Sequence, residues 1–226
     1  MDYNFAVTVI SFRERRMAAV IFNGLSKRML EATLAALRGG ELIIYPTDTI
    51  YGIGCDMRNG KALDKLNQLK NRPSNKPFSF IVNDIADAAH FAKISNAAHR
   101  VMRRVLPGPY TFVLPSSAGV PRKMMSTEHT VGIRIPNHQI PLTIAKEFGG
   151  PIITTSVNLS NDQPINAIGD LSPAFLAAVS VVIDGGAVDN EPSTIIDFTR
   201  DAPVVPRKGK GFDDLRPYID FAQSGE

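Results

Sequence analysis

Short β-rich runs alternate with stretches of helical periodicity from residue 26 to residue 207, and this alternation most constrains the fold. Ser26 reads as an N-cap, and Leu30, Leu34 and Leu37 share one helical face before Gly39-Gly40 stops the helix. The run 41–45, ended by Pro46, predicts a strand. Leu63, Leu66 and Leu69 mark a second helix that ends in the loop 71–77. Residues 78–82 read as a strand, and Ser95 caps a helix through Leu106, where Pro107-Gly108-Pro109 terminates it. Further strands are predicted at 110–114, 130–135, 152–156, 181–184, 194–198 and 203–207, with helices at 142–148 and 171–179. The interleaving implies an α/β or α+β fold built on one mixed sheet. No repeat or internal boundary breaks the pattern. The expected organisation is one domain over residues 26–211, a peripheral extension over 1–25 and a tail over 212–226.

The single cysteine, Cys55, excludes an internal disulfide and a cysteine-based zinc cluster, and it suggests a reducing, cytoplasmic setting. No apolar run reaches the roughly 18–20 residues that cross a bilayer, so no membrane partner is expected. Charge is unevenly placed. Residues 61–146 carry 13 Lys+Arg against 4 Asp+Glu, whereas residues 147–226 carry 5 against 12. A basic middle in a chain of net charge +3 suggests a localised anion site, or else an uneven solvated surface.

Several familiar signals fail. Gly54 to Ala62 resembles a phosphate-binding loop, but its spacing is one residue too long and Ala62 lacks the hydroxyl that would hold magnesium. Gly60-Lys61 is expected to open a helix instead. His90, His99, His129 and His138 show no metal-ligand spacing, and no metal site is expected. Ser156 and Ser160 lack a nucleophile elbow. Cys55 reads as a packed residue and not as a nucleophile.

Four segments carry polar chemistry. The first is residues 46–54, where Thr47, Thr49 and Tyr51 cluster beside Gly52 and Gly54 after a strand. It suits a small polar ligand, or else forms a turn whose hydroxyls satisfy one another. The second is the loop 70–77, with Lys70, Arg72 and Lys76 stiffened by Pro73 and Pro77. Its cations suit a polyphosphate. The third is residues 154–160, where Ser156 and Asn158 follow an apolar strand and suit a nucleotide's polar atoms. The fourth joins Ser193 to Arg207, an arginine at a strand end beside glycine.

Taken together, PTDTIYGIG (46–54), KNRPSNKP (70–77), LPGPYTFVL (106–114), TVGIRIP (130–136), TTSVNLS (154–160), DGG (184–186), PSTIID (192–197) and VVPRKG (204–209) resemble the YrdC-type threonylcarbamoyl-AMP synthase family. The resemblance spans about residues 26–211. It implies a twisted mixed α/β sheet around a basic concave cavity. It also implies a nucleotidyl transfer that joins L-threonine, bicarbonate or CO2, and ATP with Mg2+, releasing threonylcarbamoyl-AMP and pyrophosphate. A downstream transferase would use that product to modify tRNA. By the same resemblance, Thr47 and Ser193 would contact threonine. Lys70, Arg72 and Lys76 would hold the ATP phosphates, with Lys70 and Arg72 catalytic. Thr111, Ser156, Asn158 and Arg207 would lie on the nucleotide side, and Arg134 would line the cavity. Ile81 stands where the characterised synthases carry a histidine, and Ser156-Val157-Asn158 alters their usual Ser-Ala-Asn. LPGPYTFVL and the missing histidine resemble the YciO branch more closely. They keep open a second reading, a protein that binds nucleotide, tRNA or double-stranded RNA in the same cavity without efficient synthesis.

Overall fold

Side-chain caps fix where the helices begin. The computed structural model describes residues 19–71, 78–120, 128–158 and 163–224. Ser26 Oγ accepts from the Met29 amide at 3.1 Å and starts α1 (Lys27–Arg38). Asn59 Oδ1 accepts from Ala62 N at 3.1 Å and starts α2 (Gly60–Lys70), so Gly60-Lys61 does open a helix. Asp84 caps α3 (Ile85–Phe91), Ser95 caps α4 (Asn96–Val105), and His138 Nδ1 caps α5 (Gln139–Phe148). Helix α5 begins earlier than the expected 142, because Pro141 falls in its first turn, where no intrahelical N–H is needed. Helices α6 (Pro173–Ala178) and α7 (Phe212–Ser224) complete the set.

The strands are β1 (Val20–Asn23), β2 (Ile43–Tyr45), β3 (Gly52–Asp56), β4 (Ser79–Ile81) and β5 (Tyr110–Pro115). They continue as β6 (Thr130–Arg134), β7 (Ile152–Ser156), β8 (Val181–Asp184), β9 (Thr194–Asp197) and β10 (Val204–Arg207). All lie in one mixed sheet of order β1-β8-β2-β3-β7-β4-β6-β5-β9-β10. Gly52 and Gly54, expected in a flexible ligand loop, belong to β3 at the centre of the sheet. Packing explains them: a Cβ on Gly54 would lie 2.3 Å from the Ile153 carbonyl oxygen.

Alternation along the strands sorts the side chains onto two faces. One face carries Ile44, Ile53, Phe80, Phe112, Ile133, Ile153 and Val182 and is covered by α2, α3, α4, α6 and α7. The other carries Ile43, Tyr45, Ile81, Ile152, Val181 and Ile183, under α1 and α5. Helix α1 is rotated from the predicted Leu30–Leu34–Leu37 face, since Met29, Thr33 and Leu37 are its buried line.

Two boundary expectations change. The segment assigned to a peripheral extension supplies β1, which pairs in parallel with β8 at the sheet edge. The expected tail supplies α7, whose Leu215 and Ile219 are buried in the large core beside α4. Both runs are too short, or too interrupted by Pro217, for periodicity to announce them.

Candidate functional site

Helices α1 and α5 cover only part of the second face. Beyond them the same face is floored by Thr154 and Ser156 of β7, Ser79 of β4, Gly132 and Arg134 of β6, and Thr111 of β5. A Cβ on Gly132 would come within 2.7 Å of Ser79 Oγ, so small residues keep this trough open. Adjacent strands rotate by roughly 20–25°, so β6, four places from β2, is turned by roughly 80–100°. The curl lets the exit of β2 meet the end of β6.

That meeting is an ion pair. Arg134 Nη2 donates to Asp48 Oδ1 at 3.1 Å and to Thr49 Oγ1 at 3.0 Å. The other carboxylate oxygen of Asp48 accepts from the Asn137 amide at 2.9 Å. Both side chains are nearly dry, at 8% and 9% exposure. Burial lowers the Arg134 pKa, and the Asp48 charge opposes that shift. The Nε–H of Arg134 is buried and has no acceptor among the described residues. Tyr45, whose hydroxyl donates to Thr154 Oγ1 at 2.8 Å, is on the same face, and burial drives its phenol pKa up.

A second guanidinium faces the first. Arg207 Nε donates to the Ser193 carbonyl at 2.9 Å, and its Nη2 donates to Ser193 Oγ at 3.0 Å. Ser193 Oγ lies 2.9 Å from Thr111 Oγ1, and both residues are buried. Burial lowers the Arg207 pKa, and the charge of Arg134 lowers it further. The structure thus brings the predicted Thr111, Arg134, Ser193 and Arg207 into one corner. Asp48 pairs with Arg134 while Arg207 bonds only Ser193 among the described residues, leaving positive charge for an incoming anion.

Lys70 forms a second centre with Ser156 and Asn158. Its Nζ, at the C-terminus of α2, donates to the Ser156 carbonyl at 2.7 Å and to Asn158 Oδ1 at 2.8 Å, and also reaches the Asn158 carbonyl. Ser156 Oγ in turn bonds Asn158 Oδ1. Lys70 is therefore buried and held at the mouth of β7. Arg72 and Lys76 lie outside the described residues. Thr47 matches the self-satisfied alternative: its hydroxyl donates to Ile50 O at 2.6 Å and accepts from the Thr49 and Ile50 amides, each at 3.2 Å. It shapes the turn that presents Asp48 and Thr49.

The Sua5/YciO/YrdC family model, described as telomere recombination, matches residues 35–209. The chain belongs to this family. YciO of Escherichia coli is 29% identical over 195 residues, covering 85% of this chain and 94% of the relative. Its crystal structure superposes with a TM-score of 0.79 at 27% identity, over 89% of this chain and all of that one. A threonylcarbamoyl-AMP synthase of Xanthomonas campestris is 32% identical over 159 residues, 69% of this chain and 85% of the relative. P. abyssi Sua5, crystallised with L-threonine, superposes with a TM-score of 0.82 at 28% identity, over 89% of this chain and 62% of that one.

In this family member the sequence reading missed two participants, Asp48 and Lys210. Asp48 stood inside a quoted segment, and a buried arginine at a strand end needs a counter-charge, so Arg134 was the signal for it. Lys210 donates to the Asp48 carbonyl at 2.7 Å and pairs with Asp189, tying the chain after β10 to the 46–50 turn. Tyr51 donates to Gly186 O at 2.7 Å and so anchors the glycine pair after β8. No local pattern announces Lys210, whereas Tyr51, singled out for its hydroxyl, spends it inside the fold. Ile81 is fully buried beside Tyr45, Ile144 and Ile152, beneath α5. Cys55 is buried and its thiol is pushed up to about 12, so it is no nucleophile at neutral pH.

Proposed function

We propose that the chain is an L-threonylcarbamoyl-AMP synthase, a nucleotidyl transferase of the cytoplasm. The observation that carries this reading is the Arg134–Arg207 corner: two facing guanidiniums, of which that of Arg134 is buried, one carboxylate, and the paired hydroxyls of Thr111 and Ser193. An unpaired buried N–H costs about 1–3 kcal/mol, and an anionic ligand oxygen at Arg134 Nε would remove that cost. The relatives named threonylcarbamoyl-AMP synthase, and the L-threonine complex of Sua5, support an amino acid as that ligand.

The chemistry follows from charge. Bicarbonate or CO2 converts the threonine amine to a carbamate. A carbamate oxygen attacks the α-phosphorus of ATP, the bond to the bridging oxygen breaks, and pyrophosphate leaves. Negative charge grows on the leaving oxygens, and fixed cations aimed there lower the barrier. In this reading Arg134 and Ser193 hold the threonine end. Lys70, Arg72 and Lys76 hold the phosphates, for which Lys70 exchanges carbonyl partners for phosphate oxygens. Thr111, Ser156, Asn158 and Arg207 hold the nucleotide. Magnesium arrives with ATP as part of the substrate. Among the described residues no three His, Cys, Asp or Glu gather, and magnesium on a nucleotide is held mainly by phosphates and water. The product passes to a separate transferase that modifies tRNA.

A second reading, nucleotide or RNA binding in the trough without efficient synthesis, is favoured by one observation. Ile81 replaces an expected imidazole with a fully buried apolar side chain. Pyrophosphate release from ATP, with mass analysis of the nucleotide product, separates the two. Release that requires both L-threonine and bicarbonate, with a threonylcarbamoyl-AMP mass, is expected. ATP binding with no such product would overturn the synthase reading.

A further inference from the structure

The trough leaves unused the most arginine-rich helix among the described residues. Helix α4 carries Arg100, Arg103 and Arg104, spaced i, i+3, i+4, so their side chains rise from one face. All three are exposed, and none takes part in an ion pair among the described residues. The opposite face of α4, Ala98, Val101 and Met102, is buried in the larger core. The arginines therefore point away from the side of the sheet that holds Arg134 and Arg207.

An open cavity of about 400 Å³ adjoins Arg103. Ile85, Leu106, Pro107 and Ile135 form its apolar lining, and the His99 imidazole and the Arg103 guanidinium also border it. The carboxylate that also borders it, Asp84, is engaged by the Asp87 amide at 2.9 Å and by Asn83 Nδ2 at 3.0 Å. Sites for small organic groups run from about 300 to 1,000 Å³, with mostly apolar walls and few polar groups. An apolar slot with an imidazole and a guanidinium at its mouth matches a flat heteroaromatic ring bearing phosphate, since bases stack on both side-chain types. The next cations along the helix, Arg100 and Arg104, match further phosphates. An acidic polypeptide would use the charges and leave the slot empty. A bilayer would need several exposed apolar side chains beside the arginines, but of the large ones exposed among the described residues Val20, Ile21, Leu25 and Val204 lie off α4 and α7, and Tyr218 of the neighbouring α7 is a single ring.

We propose that α4 and this cavity form a binding face for single-stranded nucleic acid, separate from the trough. One unstacked base occupies the slot, and neighbouring phosphates lie on Arg100, Arg103 and Arg104. The test is fluorescence anisotropy with a labelled 12-nucleotide oligouridylate, from 50 to 300 mM NaCl. Three phosphate contacts on a single strand contribute about 2 to the log–log salt slope. Reversing them together, R100E/R103E/R104E, should lower affinity at least thirtyfold at 100 mM salt and flatten the slope by about 2. Ala86, exposed and at the edge of the cavity, supplies the second variant. Ala86→Trp should fill the slot and weaken RNA binding about tenfold, the order expected for one stacked base, while leaving inorganic polyphosphate binding unchanged. Arg207→Ala, in the trough, should bind the oligonucleotide as wild type does. Wild-type affinity in the charge-reversed chain or in Ala86→Trp overturns the proposal. So does a loss of RNA binding in Arg207→Ala that the α4 variants do not share.

Discussion

Asp48→Asn tests whether the Arg134 corner is held by charge. The pair is 3.1 Å apart and both side chains are over nine-tenths buried. Coulomb's law gives a gross attraction of about 5 kcal/mol at an effective dielectric of about 20. Asparagine keeps the size and one carbonyl acceptor but removes the charge, so Arg134 would remain in a dry site without a counter-ion. Breaking a buried pair in this way costs about 3–5 kcal/mol. At about 2–4 °C per kcal/mol for a chain of this size, Tm should fall by roughly 6–20 °C. Replacing both partners, as Asp48→Asn with Arg134→Met, removes the orphan charge and should restore at least about 2 kcal/mol of the loss. The assay is urea unfolding of wild type, both single variants and the double, read as a cycle. A single variant within about 1 kcal/mol of wild type, or a strictly additive double, would refute the reasoning.

The other expectations are briefer. Lys70→Ala should slow adenylate formation by roughly 10²–10³, the usual cost of losing one transition-state donor; wild-type turnover in a folded variant removes Lys70 from the mechanism. Ile81→His places an imidazole in a sealed apolar layer and should destabilise the chain by about 1–3 kcal/mol in urea unfolding, whereas an unchanged midpoint would show that the layer admits a polar partner. His138, whose Nδ1 caps α5, has its pKa lowered by burial, so its neutral form is favoured when folded. Its contribution is present above the unfolded value near 6.5 and is lost as pH falls; His138→Asn, which keeps a cap acceptor, should flatten stability between pH 7 and 5, and an unaltered slope would assign it elsewhere. Leu215→Ala should cost about 2–5 kcal/mol if α7 is part of the core; a cost under about 0.5 kcal/mol would make it an appendage.

The regular elements were legible where a cap or a period marked them. Ser26, Ser95 and Gly149 stop and start helices as their chemistry requires. Gly52 and Gly54 misled, because glycine in a strand for reasons of close packing looks the same in sequence as glycine in a loop. The trough was legible as residue types: Thr111, Arg134, Ser193 and Arg207 were all singled out and stand together. Their pairing was not legible. Asp48 meets Arg134 only because the sheet curls, and curl is a property of ten strands together. Thr47 illustrates the reverse, since its hydroxyl is used up by neighbours two and three residues away.

The crossing of the sheet by these contacts has a temporal consequence. Arg134 reaches back 86 residues to Asp48, and Lys210 reaches back 162. Loop closure over such spans is unfavourable until many other contacts are in place, so the corner should assemble late in folding. At about 5–20 residues per second of synthesis, the 46–50 turn waits roughly 8–30 s before Lys210 is made. Over that interval a nascent chain has a growing core and no Lys210 tie on the turn that presents Asp48. Copies that end before Lys210 would therefore lack one of the contacts that hold the Asp48 turn in place.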